Sequence, residues 1–425
     1  MIDRTIAPDF KAINDINLIK PEHIQLDNGC NVFVFNSGDQ ELVRIEWIFG
    51  NLRFDPAKPL LNLTVNAMLT DGTETLTAAQ IADKIDFYGA FFQSDYGFDH
   101  SQVTLFSLNK HLQSTLPVVK DVLTNSIFPQ KEVETFIRNQ QQKLQVNLQK
   151  NDVVARRTFN KAINGDTIYG LAPDADDYKN LQREDLLAHF KQMYQPSNCT
   201  LIVAGKTDAE TLKIITDTFG AAWENALNSA DTTQPEVEPS ADLFYYVEKP
   251  EALQSAIRLG IPAIKRTHAD FPALQVLNTV LGGYFGSRLM ANIREDKGYT
   301  YGIGSGISSL KNAAAWFIAT EVGADVCKSA VTEIEKEIDL LKTELIADEE
   351  LALVRNYMLG SLLGSLENIF SHADKFKNIY FAGLDYDYYT RYSQTIKTVT
   401  APYLQQLAQQ YLDFDRFYKV IVGKY

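Results

Sequence analysis

The chain closes the same way twice. A helical segment from Arg183 to Tyr194 leads through Gln195-Pro196-Ser197-Asn198 into the apolar run Thr200-Leu201-Ile202-Val203-Ala204-Gly205. Near the end, Pro402 to Tyr411 leads through Leu412-Asp413-Phe414-Asp415 into Tyr418-Lys419-Val420-Ile421-Val422-Gly423. Tyr194 stands 217 residues before Tyr411, and Gly205 stands 218 before Gly423. Further in, Ile127-Phe128-Pro129 with Lys131-Glu132-Val133 opens a long helix, as Ala347-Asp348-Glu349-Glu350 does later. Residue by residue the match is weak, but an order of elements that recurs at a fixed offset requires two similar structural units. A length of 425 residues suits two or three domains.

Within each copy the order is legible. A strand (Leu42 to Phe49; Ser255 to Ile261) precedes a helix (Pro59 to Met68; Phe271 to Leu281). Strand-rich stretches follow (Ala90 to Leu108; Tyr299 to Val322), then further helices and the closing strand. Val103, Leu105 and Leu108 among polar residues read as a half-buried antiparallel strand. Runs of strands and runs of helices predict an α+β class, with helices on one face of each sheet. Between the copies, Ala226 to Ser240 is polar, acidic and proline-bearing, as an exposed linker is. That places a boundary near residue 230 and domains at 1–228 and 229–425.

Composition excludes several classes. With 40 basic against 54 acidic residues the net charge is −14, which argues against nucleic acid or an anionic membrane as partner. No apolar run reaches the length of a membrane span. The start, Met1 to Pro8, lacks the basic and apolar segments of a signal peptide, so a cytoplasmic location is expected. Cys30, Cys199 and Cys327 are odd in number, widely spaced and without a CxxC pair, which argues against a disulfide framework or a thiolate zinc site and favours a reducing compartment.

The most informative stretch runs Leu281-Gly282-Gly283-Tyr284-Phe285-Gly286-Ser287-Arg288-Leu289-Met290-Ala291-Asn292-Ile293-Arg294. Its glycines do not make a phosphate loop, because a helical pattern precedes them and no Lys-Ser/Thr closes the motif. Gly302, Gly304 and Gly306 alternate, but a strand-like run follows where a dinucleotide fold needs a helix. Gly282-Gly283, Ser287-Arg288-Leu289, Ile293-Arg294 and Gly298-Tyr299-Thr300-Tyr301 resemble the C-terminal-domain signature of the M16 (pitrilysin/insulinase-like) metallopeptidases, in their short M16B type. In the first copy, Leu26-Asp27-Asn28-Gly29-Cys30 resembles that family's opening strand, and Met68-Leu69-Thr70-Asp71-Gly72-Thr73 the segment after its zinc motif. Tyr169-Gly170 and Leu186 to Gly205 resemble its domain-closing helix and strand.

The resemblance covers nearly the whole chain and implies two homologous α+β domains, mostly antiparallel, facing each other as a clamshell. It also implies a role for Arg294 and Tyr301, which match the family's arginine/tyrosine pair at a spacing of seven. Amide hydrolysis builds negative charge on the former carbonyl oxygen, and a guanidinium with a phenol can hydrogen-bond that oxygen. The plain alternative is a salt-bridged Arg294 and a Tyr301 packed within a strand.

The other half of such a site is missing. Active family members carry HxxEH on a helix, which sets two histidines on one face with the glutamate as general base. Anchored on Met68 to Thr73, the histidine positions fall on Leu63 and Ala67 and the glutamate on Asn66. The distal glutamate ligand falls on Lys143, with Gln140, Gln141 and Gln142 adjoining it. Leucine and alanine have no donor atoms, asparagine is too weak a base, and an ammonium repels a dication. The six histidines (His23, His100, His111, His189, His268, His372) include no HxxxH pair. His100 with Asp99 and Asp95 reads as a solvated strand end.

These readings predict a chain that holds no zinc and no other cofactor. It would serve as the non-catalytic, substrate-binding and transition-state-stabilising subunit of a heterodimeric zinc peptidase, with zinc and HxxEH in the partner and unfolded peptides as substrate. A scaffold subunit like the core proteins of respiratory complexes, and a self-dimerising peptide-binding module, are the alternatives.

Overall fold

The computed structural model describes residues 13, 16–220, 223–225 and 229–425. Met1 to Pro8, and the positions Ala226, Leu227 and Asn228 at which the two domains are expected to divide, lie outside the described residues. Strands β1 (Glu22–Gln25), β2 (Asn31–Asn36), β3 (Leu42–Gly50), β4 (Phe91–Tyr96), β5 (His100–Leu108) and β6 (Cys199–Gly205) form one sheet in the order β1-β2-β6-β3-β5-β4. Strands β7 (Phe244–Glu248), β8 (Gln254–Pro262), β9 (Thr300–Ser309), β10 (Ala314–Gly323) and β11 (Tyr418–Gly423) form a second, in the order β7-β11-β8-β10-β9. The architecture is α+β and mostly antiparallel. Each sheet has one parallel pair, β2 with β6 and β7 with β11, where the closing strand inserts beside the opening one.

The two closing strands end alike. Gly205 has φ +134° and Gly423 φ +133°, a region that side chains rarely enter. A Cβ on Gly205 would also meet the Leu42 carbonyl oxygen at 2.2 Å, and one on Gly423 the Ser255 Cα at 2.8 Å. Before each lies the expected helix, Arg183–Met193 and Ala401–Tyr411, and a 3₁₀ turn, Pro196–Asn198 and Phe414–Arg416. The repeat in the sequence is a repeat in structure.

Each sheet has its own core on one face. Trp47, Leu105 and Val203 pack with Leu116, Phe190 and Met193 in the first; Leu259, Trp316 and Ile421 pack with Leu274, Ile334 and Leu404 in the second. The opposite faces are covered too, each by a helix from the other half. Phe35, Ile48, Ile202 and Ala204 of the first sheet meet Ile369, Ala373 and Phe376 of the helix Ile369–Tyr380. Ala256, Val420 and Val422 of the second meet Ala155, Phe159 and Ile163 of the helix Asn151–Asn164. Gly260 lets that helix approach, since a Cβ there would lie 2.6 Å from Cζ of Phe159.

This exchange explains where the simple strand pattern fails. Thr104 is buried although it alternates with Val103 and Leu105, whereas Leu108, one residue out of phase, is exposed. Charged residues are trapped on the same face. Arg44 pairs with Glu46 at 3.0 Å and Asp374 at 2.9 Å, and Lys377 joins both Glu46 and Asp374, so the second half's helix is latched to the first sheet. His100 and Asp99 belong to this junction as well, and are not a solvated strand end. The His100 ring lies 4.1 Å from that of Phe381, and Asp99 accepts from the Tyr169 hydroxyl at 2.6 Å and the Lys311 backbone N–H at 2.9 Å. Asp95 is spent locally on Gln93.

The described part of the linker is pinned to both halves. The Gln234 side chain bonds the backbone of Leu52 and Phe54, and Ser240 donates its N–H to Ala162 and accepts from the Tyr418 hydroxyl through its carbonyl. Cys30 and Cys199, distant in sequence, come together at the heads of β2 and β6, both free and buried. Burial, with Cys30 alongside, pushes the Cys199 thiol up. Among the described residues no helix is long and apolar enough to cross a membrane.

Candidate functional site

The segment that carries Arg294 is bracketed by two π-helical stretches, Thr279–Gly283 and Met290–Asp296. π-Helical turns are rare and are frequently found at functional sites. Gly282 has a packing reason: a Cβ there would lie 2.7 Å from the Ser305 backbone nitrogen, so glycine alone lets this segment lie against β9. Ile293 is fully buried and anchors the second stretch in the core, which leaves its neighbour Arg294 half-buried at the surface. Two polar ties fix it further. Asn292 donates to Glu333 at 2.9 Å and Glu337 at 2.7 Å on the helix Cys327–Thr343. Arg288 grips Glu350 with two bonds of 2.8 Å, which joins the loop to the helix Asp348–Gly364. The bond to Glu350 raises the Arg288 pKa and marks this arginine as a structural clamp.

Tyr301 is re-aimed by a β-bulge. In the β9/β10 register Ile303 faces Thr320 and Thr300 faces Val322, so Tyr301 and Gly302 together oppose Glu321 alone. Threonine hydroxyls fill the broken ladder: Thr300 Oγ1 donates to the Glu321 carbonyl at 2.6 Å and accepts from the Gly302 N–H at 3.1 Å, while Thr320 Oγ1 reaches the Gly302 carbonyl at 3.0 Å. Bulges of this kind twist a strand and redirect a side chain beside a site. Tyr301 is consequently 92% exposed on the edge strand.

The bulge and the π-stretch bring the pair together. Cζ of Arg294 lies 5.8 Å from the Tyr301 ring centroid and 4.5 Å from that of Phe285, itself 64% exposed. Arg294 has no ion pair among the described residues. The salt-bridged arginine and the packed tyrosine of the plain alternative are not what the structure contains. A guanidinium held by aromatic faces keeps its N–H fork free for an incoming oxygen acceptor. Phe285 was not anticipated; its signal was an exposed aromatic set between glycines in a loop.

The counterpart positions in the first half are disposed otherwise. Leu63, Asn66 and Ala67 lie on the short helix Leu61–Ala67. Leu63 and Ala67 are on its more open side, without a donor atom. Asn66 is turned inward, only 1% exposed, where its amide donates to the Tyr194 hydroxyl at 3.1 Å. Asn62 beside it bridges the Leu52 N–H and carbonyl at 3.0 Å each and lies 2.9 Å from Nε2 of His189. Burial holds His189 down at about 4, so the ring is neutral, with Nε2–H donating to Asn62. Lys143 stands exposed on the helix Gln130–Asn147, and adjoining Gln141 donates to the Ala175 carbonyl at 2.8 Å. Among the described residues no three His, Cys, Asp or Glu side chains gather where they could hold a metal ion.

Known proteins resemble this one along most of its length. A family model described as the peptidase M16 inactive domain matches residues 180–358. The uncharacterized zinc protease YmxG of Bacillus subtilis (strain 168) is 26% identical over 349 residues, which are 80% of this chain and 83% of that protein. The non-peptidase homolog YmxG of Helicobacter pylori (strain ATCC 700392 / 26695) is 24% identical over 332 residues, 75% of this chain and 73% of that protein. A Pseudomonas fluorescens crystal structure described as a peptidase M16 inactive domain superposes with a TM-score of 0.86 at 20% identity, covering 95% of this chain and 98% of that one.

Proposed function

The chain belongs to the M16 peptidase family, and we propose that it acts there as the metal-free subunit of a two-chain zinc peptidase, lending Arg294 and Tyr301 to a partner's active site. One observation carries the reading. Arg294 and Tyr301 are held together and left without an ion partner among the described residues, while Leu63 and Ala67, at the expected zinc positions, offer no donor atom. A guanidinium and a phenol aimed at solvent have a use once a second chain places a scissile carbonyl against them. The halves of this chain are latched by their exchanged helices, so a closed chamber forms against a partner chain, not by parting the halves.

In the complex, the partner's HxxEH helix would supply zinc, activated water and general base. This chain would bind and orient. Its edge strand β9 offers unpaired backbone groups to an extended peptide, which reads main chain more than side chain and suits unfolded substrates. The Arg294 N–H groups and the Tyr301 hydroxyl would hydrogen-bond the carbonyl oxygen as its charge develops. The Phe285 ring would keep the guanidinium in place between turnovers.

The purified chain alone should show neither peptidase activity nor stoichiometric zinc. Mixed with an HxxEH-bearing M16 chain it should form a stable complex with activity, which Arg294→Ala lowers by at least about tenfold. Full turnover by the mutant complex would remove the role given to Arg294. A scaffold role is the second reading, favoured by the Helicobacter pylori relative, whose name marks it as a non-peptidase; co-purification only with chains that lack HxxEH would decide for it. A self-dimer that binds peptides without cutting them would appear as peptide affinity in the isolated chain.

A further inference from the structure

A cavity of about 360 Å³ opens in the second half among the loop bearing Arg266 and the helices Asp348–Gly364, Ile369–Tyr380 and Asp387–Thr398. From its lining we infer a binding site for a small oxyanion, carboxylate or phosphate, carried on an apolar body.

The charged residues that line the cavity are two cations, Arg266 and Lys375, and no carboxylate. Neither cation is neutralised. Arg266 gives Nη1 to the Asn378 carbonyl at 2.9 Å and leaves its buried Nε without a partner. Lys375 Nζ makes no hydrogen bond or ion pair among the described residues, and the neighbouring carboxylate, Asp374, is already held by Arg44 and Lys377. Burial lowers the Lys375 pKa, Asp374 alongside opposes that in part, and the Arg266 charge lowers it further. Two half-buried cations facing one space repel each other unless something negative offsets them. In a protein of net charge −14 such a gathering is the exception.

Neutral donors complete the lining. Tyr388 is 8% exposed, its hydroxyl has no partner among the described residues, and burial pushes its pKa up, so it stays a phenol able to donate. Tyr392 is raised for the same cause, with Tyr388 alongside. Ser361 adds a hydroxyl to the lining. A buried polar atom without a partner, here Nε of Arg266, calls for a ligand or a water in a native fold. Phe271, Met358 and Leu362 form an apolar wall for the ligand's body. Gly283 also lines the cavity and leads directly to Tyr284 and Phe285, so the pocket adjoins the surface that bears Arg294.

Two sources share this chemistry: a free small-molecule anion, or the C-terminal carboxylate of a bound peptide. Only the second rests on the proposed function. Calorimetric titration of the full chain with N-acetylphenylalanine, its amide, inorganic phosphate, and a ten-residue peptide in free-acid and amidated forms tests the site. N-acetylphenylalanine should bind saturably and its amide at least about tenfold more weakly. Lys375→Met and Tyr388→Phe should each weaken the acid by at least about fivefold while the thermal midpoint holds. Free-acid peptide binding more tightly than N-acetylphenylalanine assigns the peptide source; equal or weaker peptide binding assigns the free anion. Equal affinity for acid and amide, no saturable binding of any oxyanion probe, or unchanged affinity in both variants overturns the site. None of these readouts involves Arg294, so failure here and failure of the peptidase role are told apart.

Discussion

Two short helical segments of this chain treat their polar side chains in opposite ways. On Leu61–Ala67, Asn62 and Asn66 turn inward, and every bond they make is to the protein itself, through Leu52, Gln102, His189 and Tyr194. On Met290–Asp296, Arg294 turns outward and rests on two exposed rings, with no carboxylate paired to it among the described residues. The first arrangement is finished within the fold. The second is complete only with something from outside. Asn62 and Asn66 are absorbed into the core. Where polar groups stay exposed and organised by a bulge, two π-stretches and a clamp, their organisation serves an encounter.

The comparison makes opposed predictions for the two regions. Arg294→Ala should cost the proposed two-chain complex about a hundred- to thousand-fold in kcat/KM, the usual worth of one donor to a developing oxyanion, and leave the unfolding midpoint of the isolated chain in place. Asn62→Ala should do the reverse. It strands the Leu52 backbone groups and His189 in the interior, which should cost roughly 2–4 kcal/mol in urea unfolding. A destabilising Arg294→Ala, or a silent Asn62→Ala, would erase the distinction.

The inward region should also carry a pH signature. Burial holds His189 and His100 at about 4 in the folded chain, against 6.5 when free. The folded state therefore refuses a proton that the unfolded state accepts, so stability is full above pH 6.5 and is lost as pH falls towards 4. The His189 share is about 3 kcal/mol. Asp71 works the other way. Burial, then Glu132, raises it to about 6, so its contribution is lost as pH climbs from 3.8 through 6. His189→Gln, which still offers an N–H to Asn62, should flatten the acid limb of stability measured between pH 4 and 7.

The sequence carried the repeat and the order of elements along the chain, and it singled out Arg294 and Tyr301, which the structure places side by side, because each is written in local pattern or fixed spacing. It did not carry the exchange of helices between halves. Arg44, Glu46 and Thr104 look solvent-facing by their alternation, and only the arrival of Ile369–Tyr380 from more than 200 residues away buries that face. The meeting of Cys30 with Cys199 was hidden for the same reason, since parallel pairing joins residues that no local rule connects. That Leu63 and Ala67 share one helix was legible. The inward turn of Asn66 was not, because which side of a seven-residue helix faces the core depends on its packing against Tyr194 and β5.

The smallest predicted effect tests how tightly the outward region is organised. Phe285 holds the Arg294 guanidinium at 4.5 Å from its ring centroid, a contact worth about 0.5–1 kcal/mol at an exposed site. Phe285→Ala should therefore lower kcat/KM of the assembled peptidase by only about two- to fivefold, through a guanidinium that spends less time in place. Phe285→Leu keeps bulk but loses the π face and should fall close to the alanine variant. If leucine instead restores full activity, the ring acts as a wall and not as a cation-binding face. If both variants fall as far as Arg294→Ala, Phe285 touches the substrate itself, and the outward site is larger than the arginine/tyrosine pair.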